Sequence, residues 1–311
     1  MKELFKNCIE VLDVDGWMMP TRFTAYQREL FSQNEPQYVR SHAPSSVCIA
    51  FRTAATKISL EYKITAKARN WALFDLKCDG LLVDSVTAVE DEGRVEFSLS
   101  GNEKFEYRLY LPHLVVLYVR NIVSDAPLYP VPNRERLWLA LGDSITQGMN
   151  ARHPTLSYPS IISDYAGLDL LNTGVGGTKF NALHLDCVEK EPSLITVAFG
   201  CNDWGIPRAE LLENVAAYMD KLTSLYACRN IYAILPIWRG NENDIKADMT
   251  FREHREIIRS VLAGYPFVKI IDGYKIIPHL SEFYGETQSP SIHPTEEGFL
   301  LMSSALIKEI F

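Results

Sequence analysis

Apolar positions along the chain change their period near its middle. Up to about residue 135 they come in short runs, many alternating every second residue, as in Ile58-Ser59-Leu60-Glu61-Tyr62-Lys63-Ile64 and Phe105-Glu106-Tyr107-Arg108-Leu109-Tyr110-Leu111. A period of two is that of a half-buried strand. Further short runs at 47–51, 71–77, 81–83 and 94–99 extend the pattern, and Asp79-Gly80 and Gly101-Asn102 read as hairpin turns. No helix-length amphipathic pattern stands out in this half. Many short strands between turn signals predict an all-β sandwich, jelly-roll-like in character.

A stretch with three prolines, Asp125 to Arg136, then reads as a stiff extended linker. It suggests two domains, 1–135 and 136–311. Beyond it the rhythm becomes strand, helix, strand. Strands are predicted at 137–141, 168–172, 194–199, 230–235 and 268–271. Helices are predicted at 158–166, near 182–190, at 208–227 and at 249–263, with a last one starting at about Thr295. Leu194 to Phe199 is apolar throughout, as a strand covered on both faces requires. The class is α/β, with a mainly parallel sheet.

Polar residues cluster where these strands end. The first strand runs into Gly142-Asp143-Ser144-Ile145, the second into Asn172-Thr173-Gly174-Val175-Gly176-Gly177, and the third into Gly200-Cys201-Asn202-Asp203-Trp204. His293-Pro294 stands just before the last helix. Ligands of open α/β sheets bind outside the carboxyl ends of the strands. One edge therefore collects a serine, exposed glycine N–H groups, an asparagine and a histidine. Singly each has a plain structural use: an N-cap, a tight turn, a loop brace, a helix entry.

Together and in this order they resemble the GDSL or SGNH hydrolase superfamily, named for the Ser, Gly, Asn and His of its four blocks. The β-rich first half further resembles a two-domain branch whose layout family-2 carbohydrate esterases share. The resemblance implies a flavodoxin-like hydrolase domain behind an all-β sandwich. It implies Ser144 as nucleophile, His293 as base, and Gly177 and Asn202 as oxyanion donors with the Ser144 N–H, with Gly174 or Gly176 in place of Gly177 under a different register of that loop. One departure stands out. The family places an Asp three residues before the His, and here that position is Pro290. Either a main-chain carbonyl of the 286–292 loop or a carboxylate, Glu286 or Asp272, then orients His293.

Trp204 and Trp238, the latter followed by Arg239, sit at the same edge and either bind substrate or pack loops. Trp17 and Trp71 pose the same alternative in the first half, and the lone His42 and His113 suggest no site. Cys201 reads as packing. The expected activity is hydrolysis of a short acyl ester, acetyl above all, on a carbohydrate or polyol. The alternatives are an acyltransferase on the same machinery and an inactive carbohydrate-binding protein.

Composition narrows the field. With 31 Lys and Arg against 39 Asp and Glu, the net charge of −8 argues against nucleic acid. No apolar run is long enough for a membrane span. The N-terminus does not read as a signal peptide, and the six cysteines are scattered, so a cytoplasmic location is expected. No ligand spacing for a metal appears, and the chemistry needs no cofactor. The partner is a small ester or acylated sugar. Sandwich edges leave homo-oligomerisation open.

Overall fold

The computed structural model describes residues 1–285 and 292–311. The chain divides into two compact units, Met1–Glu135 with Arg152–Thr155, and Arg136–Ala151 with Leu156–Phe311.

Among the described residues the first unit holds two antiparallel sheets. One is ordered Phe5–Lys6, Cys48–Arg52, Glu106–Tyr110, Leu73–Cys78, Leu81–Thr87, with Tyr129–Pro130 also on Cys48–Arg52. The other is ordered Glu10–Val14, Trp17–Thr21, Val115–Ser124, Lys57–Lys67, Glu92–Ser98. Their inner faces share one core. Ile58, Leu60, Tyr62 and Ile64 come from the second sheet, and Ile49, Phe51, Phe74, Leu76 and Leu109 from the first. Alternate residues of these strands therefore enter the shared core, as a sandwich requires.

Three expectations need correction. Gly101-Asn102 is no hairpin, because the strands on either side, Glu92–Ser98 and Glu106–Tyr110, lie in different sheets. The tight hairpins are at Asp79-Gly80 and at Asp15-Gly16, where both residues of each pair have positive φ. Two helices, Ala25–Ser32 and Glu35–Ser41, occupy a stretch that shows no amphipathic pattern. The first buries only Gln27 and Phe31, and a Thr24–Gln27 capping box starts it. His42 is the C-cap of the second helix. Tyr129–Pro130 of the supposed linker is a short strand.

The second unit carries a five-stranded parallel sheet. We label its strands β1 (Leu137–Gly142), β2 (Asp169–Asn172), β3 (Leu194–Ala198), β4 (Ile231–Ile234) and β5 (Val268–Ile271). The helices are α1 (Ser144–Gln147), α2 (Tyr158–Ala166), α3 (Arg208–Leu225), α4 (Phe251–Leu262) and α5 (Glu296–Ile310). The strand order is β2-β1-β3-β4-β5, the doubly wound order whose switch point lies between β1 and β3. Along β1, Leu137, Leu139 and Leu141 join the core under α3 and α4. Trp138 and Ala140 join the one under α2 and α5. Each face is covered, which is why these strands read as continuous apolar runs.

The helix expected near 182–190 is only a single turn, Ala182–His184. Beyond it the Tyr226 hydroxyl accepts from Val188 N–H at 3.2 Å and donates to Asp186 O at 2.9 Å. Those two backbone groups are thereby withdrawn from helical pairing. Among the described residues no helix is long and apolar enough to cross a membrane.

Candidate active site

β1 stops at Gly142, and Asp143 caps α1, its carboxylate accepting from Ile145 N–H at 3.0 Å. Ser144 thus becomes the first residue of α1, 7% exposed. Its Oγ lies 2.8 Å from Nε2 of His293, which is 8% exposed and stands three residues before the start of α5, with Thr295 as the N-cap. The Pro294 bridge to Tyr284 and the bond from Gly285 N–H to His293 O at 2.9 Å hold that segment.

The loop after β2 is locked to α1. Asn172, wholly buried, donates to Thr146 O at 2.9 Å and accepts from Gly174 N–H at 2.9 Å. Gln147 accepts from Gly176 N–H at 2.8 Å. A Cβ on Gly174 would stand 2.4 Å from Gln147 N, so only glycine lets this loop approach. Gly177 follows with φ +84 and is exposed. No acceptor is assigned to the N–H of Ser144 or of Gly177 among the described residues.

The third block comes from the end of β3. Asn202 donates its amide to Thr178 O at 3.0 Å and, at a long 3.4 Å, to Asp143 Oδ2. Buried side chains grip the carbonyls just ahead of it. His254 on α4 donates from Nε2 to Gly200 O at 2.8 Å, and Arg239 donates to Cys201 O at 3.2 Å. Burial drops the His254 pKa to about 4, so that ring is neutral.

Two carboxyls beside Asn202 have raised pKa values. Burial, reinforced by the neighbouring Asp203 charge, raises Asp143 to about 7. Burial likewise raises Asp203 to about 6, although it accepts from Phe180 N–H at 3.0 Å. Its other oxygen has no hydrogen-bond partner among the described residues.

Ser144, His293, Gly177 and Asn202 are thus gathered at one sheet edge, as the sequence suggests. The tryptophans are placed differently from one another. Trp204 is 6% exposed, donates to Met249 O at 3.1 Å, and lies under Arg239 and Lys246. Trp238 is half-buried, donates to Glu242 at 3.2 Å and stacks on His279. Cys201 is half-buried, and desolvation pushes its thiol pKa up. In the other unit Trp17 lies under Arg120 and Trp71 near Arg152, while His113 is buried. Asp272 is engaged by Arg255, by Arg259 at 3.6 Å and by Tyr274 N–H at 3.2 Å. Glu286 and Pro290 lie outside the described residues.

The bracing residues Gln147, Asn172, Arg239 and His254 received no role from the sequence. Gln147 and Asn172 stand inside the blocks that bear the motif. His254 carried a usable signal: with Arg255 it is a polar residue among the buried positions of α4, which include Phe251, Ile257 and Ile258. Among the described residues no group of three His, Cys, Asp or Glu is placed to hold a metal.

Residues 140–300 match the GDSL-like Lipase/Acylhydrolase family. No curated protein matches the chain. Among solved structures, a salicylyl-acyltransferase from a tetracycline biosynthetic pathway superposes with a TM-score of 0.85 at 19% identity, covering 98% of this chain and 93% of that one. A family two carbohydrate esterase from Clostridium thermocellum, in complex with cellohexaose, gives 0.64 at 15% identity, covering 85% and 90%. An acetyl xylan esterase from the rumen bacterium Butyrivibrio proteoclasticus gives 0.57 at 15%, covering 85% and 88%. These likenesses extend over both units and establish the fold.

Proposed function

The chain belongs to the GDSL-like lipase/acylhydrolase family, a family of ester hydrolases, and we propose that it removes short acyl groups, acetyl above all, from a carbohydrate or polyol through an acyl-enzyme on Ser144. The observation that carries this reading is the 2.8 Å contact between Ser144 Oγ and His293 Nε2. That is within reach for direct proton transfer.

The Ser144 hydroxyl donates to Nε2. As Oγ attacks the ester carbonyl, His293 takes the proton and a tetrahedral oxyanion forms. The Ser144 N–H, the Gly177 N–H and the Asn202 amide receive that charge; the first two have no competing acceptor among the described residues. Collapse breaks the C–O bond, and His293 returns the proton to the leaving alcohol. Water then attacks the acyl-serine with His293 again as base, releasing the acid.

With Asp272 committed to arginines, a main-chain carbonyl orienting His293 is the reading we favour, a Ser–His dyad in place of a triad. The carbohydrate alcohol is supported by the likeness to the two esterases.

One observation favours a second reading, acyl transfer: the acyltransferase superposes over 98% of this chain. Acetylated sugars and p-nitrophenyl esters of rising chain length, incubated with and without a polyol acceptor, separate the two. The first reading predicts free acetate as the product and preference for the shortest acyl group. Acceptor acylation in place of acetate would establish transfer, and preference for long chains would overturn the acetyl assignment.

A further inference from the structure

A carboxamide has two chemically opposite ends, and only its N–H end stabilises an oxyanion. Turned over, Asn202 would aim a carbonyl at the developing negative charge. Its orientation is therefore set by what surrounds it. Two acceptors do so here, Thr178 O at 3.0 Å and Asp143 Oδ2 at 3.4 Å. Thr178 O is backbone and is fixed by the fold. Asp143 is the side chain that completes the choice.

Capping alone does not explain an aspartate at this position. Its Oδ1 meets Ile145 N–H, and a serine, threonine or asparagine caps a helix equally well. Asp143 is 1% exposed, an expensive place for an ionisable group. Its second oxygen does what a shorter cap does not: it spans from the nucleophile's helix to the third block.

We propose that Asp143 is a positioning residue, fixing the rotation of the Asn202 carboxamide so that its N–H end serves the oxyanion of the Ser144 adduct. The inference rests on the assignment of Asn202 as an oxyanion donor. The bond to Thr178 O is the anchor. The longer bond to Asp143 is the one whose hydrogen is shared with the incoming oxygen.

The test is the steady-state hydrolysis of p-nitrophenyl acetate by wild type, Asn202→Ala, Asp143→Ser and the double variant, with melting curves to establish folding. Serine keeps the cap on Ile145 but falls short of Asn202. Asn202→Ala is expected to lower kcat by ~10²-fold or more. Asp143→Ser is expected to lower kcat by ~10-fold, the worth of one hydrogen bond, while moving KM less than about twofold. The double variant is expected to be no slower than Asn202→Ala alone, since the Asp143 effect passes through the missing amide. Losses that multiply in the double variant, or an Asp143→Ser enzyme with wild-type kcat, would overturn the proposal. Near-wild-type turnover by Asn202→Ala would instead remove the oxyanion assignment beneath it. Should Asp143→Ser not fold, Asp143→Asn serves in the same cycle. Its amide oxygen keeps the cap while its N–H end opposes that of Asn202.

Discussion

Asp75 in the sandwich and Asp143 in the parallel-sheet unit are both buried aspartates, and they are solvated in different ways. Asp75 accepts from Ser85 Oγ at 2.7 Å, His153 Nδ1 at 2.9 Å, Thr155 Oγ1 at 2.7 Å and Thr155 N at 3.3 Å. Donors from both sides replace the water it lost. Asp143 has one good bond, to Ile145, and one long one, to Asn202, and burial lifts its pKa to about 7. The same contrast runs through the units. Asp203 Oδ2, His254 Nδ1 and Tyr284 Oη are buried without hydrogen-bond partners among the described residues, and all three lie in the second unit. A buried polar cluster is thus not in itself a site. The sandwich uses Asp75 to tie down the Arg152–Thr155 segment; the second unit leaves several buried polar atoms without such partners among the described residues.

Removing the base breaks the comparison most severely. His293→Ala is expected to lower kcat for p-nitrophenyl acetate by ~10⁴-fold or more, with an unchanged melting temperature. Retained turnover would mean that the second unit's open polar groups are no more catalytic than the sandwich's.

Asp75→Ala has the opposite signature. It strands the hydroxyls of Ser85 and Thr155, and the expected loss is ~3 kcal/mol of stability. Turnover per folded molecule, measured well below the melt, is expected to stay within about twofold of wild type. A selective fall in kcat would assign Asp75 more than a structural part.

Asp143→Asn sharpens the contrast through pH. The folded pKa of Asp143 lies above its unfolded value near 3.8, so the native state holds the extra proton between those pH values. Its contribution therefore lowers stability as pH rises from about 4 to about 7, and levels off above. The buried His254 and His184, both lowered to about 4, act in the reverse sense over about 4 to 6.5, so the informative quantity is the variant minus the wild type. That difference in melting temperature is expected to grow in favour of the variant up to pH ~7, by ~5 °C. A flat difference would show that Asp143 is ionised throughout.

The smallest effect is expected from Asp272→Asn. Its partners are arginines and Tyr274 N–H, so kcat is expected to stay within about threefold of wild type. A collapse with folding intact would replace the Ser–His dyad by a triad.

The sequence is most informative where period and position coincide. Buried strands announce themselves as apolar runs, and the four blocks stand at their ends, so Ser144, Gly177, Asn202 and His293 could be placed at one edge. It is least informative where tertiary contacts override local pattern. Gly101-Asn102 has turn chemistry, yet its flanking strands join different sheets, a choice made by the two-sheet core. Residues 182–190 have helical composition, yet the Tyr226 hydroxyl, distant in sequence, takes their backbone groups. Gln147, Asn172 and His254 act through backbone partners that only the folded chain brings near.

The account turns on Ser144 as the atom that carries the acyl group. Rapid quenching of wild-type enzyme with p-nitrophenyl acetate, followed by intact-mass and peptide mass spectrometry, tests it directly. The predicted result is a transient mass increase of one acetyl group on the peptide containing Ser144, absent from Ser144→Ala together with turnover. An acetyl group on another residue, or full turnover by Ser144→Ala, would contradict it.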